Sequence, residues 1–114
     1  MRMSYLIAVP ARQLQPAERT DRFAPAAELL RALASPHRVA IVLALAESEH
    51  CVHELVEKLG VSQPLVSQHL RVLKSEQLVT GRRRGREVAY ELSDEHVAHI
   101  VNDAVTHSAE RTPR

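Results

Sequence analysis

Gly60-Val61-Ser62-Gln63-Pro64-Leu65-Val66-Ser67-Gln68-His69-Leu70-Arg71-Val72-Leu73-Lys74 is the stretch whose reading decides the fold. Gly60 suits the end of a helix, because a residue without Cβ enters the left-handed region freely. Ser62 suits the start of the next one as an N-cap. From Gln63 to about Ser75, Leu65, Val66, Leu70 and Leu73 recur at helical spacing and predict an inward face, which leaves Gln63, Ser67, Gln68 and Arg71 outside. Upstream, Val52, Leu55, Val56 and Leu59 mark one face of a preceding helix. Helix, short glycine turn and helix with a polar outer face is the helix-turn-helix pattern. Gln, Ser and Arg pair with base edges or phosphates in a major groove, so the four outer residues are candidate DNA contacts.

Downstream the period changes from helical to near alternation. Leu78-Val79-Thr80 and residues 87–92 read as two strands joined by a loop over residues 81–86. That loop holds Arg82, Arg83, Arg84 and Arg86. Taken alone an arginine-rich hairpin tip is as easily a solvated turn, but beside a helix-turn-helix it reads as a wing whose guanidinium groups meet phosphate or a narrow minor groove. On the upstream side, Ala27, Leu30 and Leu33 recur at helical spacing over residues 24–34. Ser35-Pro36 then punctuates the chain and opens a nearly continuous apolar run, Val39 to Leu45, which predicts a central, buried helix.

A chain of 114 residues with three aromatics builds a modest core from Leu, Val, Ile and Ala, and such a core gains from oligomerisation. The formal charge is only +1, yet it is unevenly placed. Arg71, Lys74, Arg82, Arg83, Arg84 and Arg86 face Glu76 as the single acid among residues 71–86. Beyond them Glu87, Glu91, Asp94, Glu95, Asp103 and Glu110 outnumber Arg111 and Arg114. One surface is suited to phosphate and another to cations. A single cysteine, Cys51, excludes an intrachain disulfide framework and fits a reducing interior. The apolar run from Tyr5 to Val9 stops at Pro10, short of a membrane span, so the expectation is a cytoplasmic protein with no membrane partner. Residues 1–22 lack sustained periodicity and read as a mobile arm, residues 23–110 as the DNA-binding and dimerisation domain, and residues 111–114 as a tail.

The last helix carries the second chemical signal. Asp94-x-His96 is followed eleven residues later by His107-x-x-Glu110. At about 100° per residue this step brings both pairs to within about 20° of one helical face, but about 16 Å apart along the axis. A zinc ion holds its nitrogen and oxygen ligands at only about 2.0–2.2 Å, so one helix does not close the site. An antiparallel copy does, because a two-fold axis sets Asp94 and His96 of one chain beside His107 and Glu110 of the other, giving two shared sites per dimer. Val97, Ala98, Ile100, Val101, Ala104 and Val105 supply the apolar stripe such a pairing helix needs. Asp94 also has an ordinary explanation as a helix cap.

From about Ala26 to Glu110 the chain resembles the ArsR/SmtB family of metal-responsive winged-helix repressors, through residues 29–38, residues 60–74, the wing and the Asp-x-His…His-x-x-Glu motif. The resemblance implies a mainly α (α+β) winged helix-turn-helix with a two-stranded β wing, homodimeric through its N- and C-terminal helices. It implies binding to double-stranded operator DNA when metal-free and release on metal binding, with no organic cofactor. It implies base reading by Gln63, Ser67 and Gln68, a wing at residues 82–86, and metal ligation by Asp94, His96, His107 and Glu110. Two carboxylates and two imidazoles suit zinc, with cobalt or nickel as alternatives. Some family members sense soft metals or arsenite through paired cysteines at the start of the third helix. Here that place reads His50-Cys51-Val52-His53, an incomplete set for a second metal site, for which a small half-buried cysteine is the commoner explanation. Two rivals differ in class: a winged-helix regulator that responds to thiol redox through Cys51, and a zinc hydrolase. The hydrolase needs an open coordination position and a positioned base, which four ligands on a closed seam do not leave.

Overall fold

The apolar run predicted for the centre becomes the central helix. The computed structural model describes Gln13 and residues 20–111, and within them five helices and three short strands follow one another. They are α1 (Ala24–Leu33), α2 (Pro36–Glu47), β1 (His50–Cys51), α3 (Val52–Leu59), α4 (Gln63–Ser75), β2 (Val79–Arg84), β3 (Glu87–Leu92) and α5 (Glu95–Glu110). The arm expected at residues 1–22 falls outside the described residues except for Gln13 and residues 20–22, as does the tail beyond residue 111. No single helix among the described residues is long and apolar enough to cross a membrane.

Ser35 caps α2 by accepting a hydrogen bond from the Arg38 backbone N–H at 3.3 Å, and Pro36 follows in the first turn. Ile41 and Val42 of α2 are fully buried, and around them pack Leu55 from α3, Val66, Leu70 and Leu73 from α4, Leu78 and Val79 from the wing base, and Val97 and Val101 from α5. Each such side chain contributes about 1.5–3 kcal/mol when taken out of water. Gly60 ends α3 in the left-handed region at φ 67°. Ser62 stands at the N-cap of α4, but its side chain makes no capping hydrogen bond.

The two-stranded wing is present as β2 and β3, and a third strand extends it: the sheet has the order β1-β3-β2 and is antiparallel throughout, because His50 and Cys51 pair with Tyr90 and Ala89. The expectation for the loop is corrected. The arginines do not sit on a six-residue loop. Strand β2 runs through Arg84, paired with Glu87, and only Gly85 and Arg86 turn the chain, with Gly85 at φ 66° in the first turn position, where a II′ hairpin takes glycine. In α1 the buried residues are Ala32 and Leu33, while Ala27 is exposed and Leu30 is 54% exposed. Of the three residues at helical spacing there, Leu33 joins the core, while Ala27 and Leu30 face outward.

Candidate nucleic-acid interface and metal site

Helix α4 presents Gln63, Gln68 and Arg71 exposed and Ser67 half-buried on the side away from Val66, Leu70 and Leu73. None of these four side chains makes a hydrogen bond or ion pair among the described residues. Gln63, at the start of the helix, lines a groove of about 400 Å³ with Val52, His53, Val56, Glu87, Val88 and Tyr90, between α3 and the wing. The outer face of α4 thus presents polar side chains that are unengaged among the described residues, next to the wing, as base and phosphate contacts require.

The wing arginines divide into two groups. Arg83 and Arg86 make no ion pair among the described residues. Arg82 donates from Nη2 to Glu49 Oε1 at 2.7 Å, and Arg84 donates from Nη1 to Glu49 Oε2 at 3.0 Å. Arg84 Nη2 also lies 3.6 Å from Glu54 Oε1 and 3.1 Å from Cys51 Sγ. Sequence reasoning missed Glu49 altogether. The two-residue strand that places it carries no readable period.

The residues of the incomplete second metal site do not converge. Cys51 is 1% exposed, more buried than expected, and neighbouring strand positions point to opposite faces, which separates it from His50. His50 Nδ1 instead lies 2.7 Å from the Ser48 carbonyl, and His53 Nδ1 lies 3.3 Å from Glu87 Oε1. The hydrogen bond to Glu87, then burial, push the Cys51 thiol up from its ordinary value, against the opposing pull of Arg84. Metal ligation and thiol redox both use the thiolate, which this setting disfavours. The Arg84 guanidinium also stands where a cation would have to approach.

At the C-terminal helix the two ends differ. Asp94 caps α5, its Oδ1 accepting from the backbone N–H of His96 at 2.9 Å and of Val97 at 3.3 Å. His96 Nδ1 lies 3.5 Å from the same Asp94 oxygen, so this pair is already side by side and exposed. His107 and Glu110 are exposed in the last turns of the helix. Among the described residues of the single chain no three His, Cys, Asp or Glu side chains come together to hold a metal ion. Ile100 at 36% and Val105 at 41% exposed leave the apolar stripe of α5 uncovered, as Leu30 and Phe23 at 38% do beside α1.

A reading helix framed by α3 and a β hairpin defines the winged helix-turn-helix class of regulators. Residues 35–80 match the family described as Bacterial regulatory protein, arsR family. The chain is 66% identical over 85 residues to the HTH-type transcriptional repressor SmtB of Mycobacterium tuberculosis, a match covering 75% of this chain and 63% of that protein. It therefore spans less than two thirds of that relative's length. It is 41% identical over 100 residues to a transcriptional repressor SmtB homolog of Synechocystis, covering 87% of this chain and 76% of that one. In three dimensions it is similar to a homodimeric winged helix-turn-helix DNA-binding domain from Mycobacterium bovis, with a TM-score of 0.76, 27% identity, and 88% and 93% of the two chains covered. The chain belongs to the ArsR/SmtB family.

Proposed function

We propose that this protein is a cytoplasmic transcriptional repressor, not an enzyme, that binds operator DNA as a metal-free homodimer and is released when zinc is held between its C-terminal helices. The observation that carries the DNA reading is the outer face of α4, where Gln63, Ser67, Gln68 and Arg71 have no side-chain partner among the described residues, beside a wing that offers Arg83 and Arg86. The names of the relatives, which are repressors, and the homodimeric neighbour support the same reading. The exposed apolar residues Leu30, Ile100 and Val105 supply a surface for a second copy.

The donor set fits a metal in chemistry. Asp94 and His96 of one copy with His107 and Glu110 of another give two carboxylates and two imidazoles, the set that zinc takes in a four-coordinate shell. Cobalt and nickel are the alternatives to be compared. What bound zinc supplies is a fixed link between two α5 helices. The chain itself connects that helix to the reading helix: the Ser93 N–H donates to the Leu78 carbonyl at 3.0 Å, and the Leu78 N–H donates to the Leu73 carbonyl at 2.9 Å. A shift at the start of α5 is passed on to the end of α4, and the two reading helices of the dimer no longer match the spacing of the operator half-sites. Coupling is reciprocal, so operator DNA weakens metal binding by the same factor.

The test is operator binding by the full chain with chelator, then with zinc, cobalt and nickel added in turn. His96→Ala and His107→Ala are each expected to keep metal-free DNA binding and to lose the metal response. A mixture of the two variants is expected to recover one intact site per heterodimer. Release of DNA by His107→Ala at the native zinc level would overturn the ligand assignment, and no recovery in the mixture would place the ligands within one chain.

A further inference from the structure

We propose that Glu49 is an internal counter-anion of the wing, which engages Arg82 and Arg84 and so limits how many DNA phosphates the wing neutralises. This inference rests on the DNA-binding reading above. Each carboxylate oxygen of Glu49 takes a different guanidinium, at 2.7 Å from Arg82 and 3.0 Å from Arg84. The clamp is built by the sheet. Glu49 precedes β1, which pairs with β3 and not with β2, so both arginines reach it across the middle strand. In the row where they cross, Arg82 stands opposite Ala89 and Ala89 opposite Cys51. In that row the middle strand contributes only the Ala89 methyl group, and it is fully buried. A larger residue at 89 would block the crossing.

Alternation along β2 sends Arg83 to the other face, with Gly81, Val88 and Tyr90. Three consecutive arginines therefore have two fates, which the sequence run alone does not reveal. Glu49 is 24% exposed on its side chain, and Glu54 stands 3.6 Å from Arg84 as a second carboxylate. A carboxylate that accepts from two guanidinium groups offers them the chemistry that a phosphate offers, so a duplex has to displace Glu49 before it gains these two charges. Partly exposed ion pairs are individually weak, which keeps the competition within measurable range.

The experiment measures affinity for a random-sequence duplex as a function of salt, since each phosphate neutralised adds about 0.9 to the slope of log affinity against log salt. Glu49→Gln keeps the size of the side chain and removes the charge. It is expected to tighten binding at low salt and to steepen the slope by about 1–2 per wing, which is about 2–4 for a dimer with both wings on the duplex, and Arg82→Gln with Arg84→Gln in that background is expected to remove the gain. In the native background, Arg83→Gln is expected to lower the slope more than Arg82→Gln does. An unchanged slope in a folded Glu49→Gln variant overturns the proposal. So does an Arg82→Gln effect as large as that of Arg83→Gln, a comparison that stands even where Glu49→Gln does not fold. A native chain that binds no duplex at all overturns the DNA reading itself.

Discussion

Helices α4 and α5 are written in the same pattern, an apolar stripe with a polar outer face, yet only α4 finds its cover within the chain. Val66, Leu70 and Leu73 of α4 are all buried, at 0%, 2% and 0% exposed. Of the longer α5 only Val97 and Val101 are buried, and Ile100 and Val105 face outward. The candidate chemistry divides in the same way. The polar face of α4 is complete in one chain, whereas the four candidate ligands of α5 lie at the two ends of one helix and need a second copy to meet. An apolar stripe states that a helix needs a cover. It does not state which chain provides it.

The largest test of this contrast breaks the cover of α5. Ile100→Asp places a charge where the proposed dimer is apolar, while the single chain leaves that position exposed. The variant is expected to fold with near-native thermal stability per chain, to sediment as a monomer, and to lose operator affinity by about 100-fold or more, because two half-sites no longer bind together. A dimeric Ile100→Asp with native operator affinity would place the interface elsewhere and remove the contrast between the two helices.

The second test lies on the buried side of α4. Arg38 Nη1 stands 3.1 Å from His69 Nδ1, and a guanidinium only donates, so Nδ1 accepts and the ring proton sits on Nε2, which is buried without a partner. Burial first, then the charges of Arg38 and His37, hold the His69 pKa below its ordinary value. The folded state thus prefers the neutral ring. The stability this provides is complete above the unfolded value of about 6.5 and is lost as the pH falls from there through the folded pKa. His69→Gln does not titrate, so its unfolding free energy is expected to fall less than that of the native chain between about pH 7.5 and pH 5. Equal losses in denaturant titrations would show that His69 takes no part, and α4 would then hold no charge-sensitive contact with α2.

What was legible in the sequence follows the same division. Gly60, Ser35 and Pro36 mark helix ends by backbone chemistry that acts locally, and the spacing of Leu55, Val66, Leu70 and Leu73 marks their faces, so α2, α3 and α4 were readable. Strand β1 was not, because two residues carry no period. Gly81 suggested a turn but lies within β2, where a Cβ would come within 2.8 Å of Val88 Cγ1 and 3.1 Å of Tyr90 Cε2. Its reason is that the Val88 and Tyr90 side chains of the neighbouring strand fill the space of a Cβ, and that depends on register. The outward turn of Leu30 was not legible, because spacing identifies a face and not what covers it, whereas the stripe of α5 reads as a pairing face and Ile100 and Val105 are exposed. Asp94 was legible as a cap, and the structure shows it capping.

The smallest expected effect concerns the junction where α4 hands over to the wing. Gln77 adopts the left-handed conformation at φ 61°, the only residue other than glycine to do so among those described. Its N–H donates to the Lys74 carbonyl and that of Leu78 to the Leu73 carbonyl, both at 2.9 Å, which is the Schellman arrangement with Leu73 and Leu78 as its buried apolar pair. Glycine is the usual occupant of that position, since a side chain there costs about 1–2 kcal/mol. The gain from Gln77→Gly is partly offset by the entropy that glycine loses on folding, about 0.5–1 kcal/mol. Gln77 is exposed and its side chain makes no hydrogen bond among the described residues, so nothing else is removed. Gln77→Gly is expected to stabilise the chain by less than about 1 kcal/mol in denaturant titrations and to leave metal-free operator affinity unchanged. If the variant were less stable, the strain at this junction would be supported by a contact of the glutamine side chain. If it were more stable but no longer released DNA on zinc binding, that strain would belong to the coupling between α5 and α4, since Leu78 is also the residue whose carbonyl accepts from Ser93.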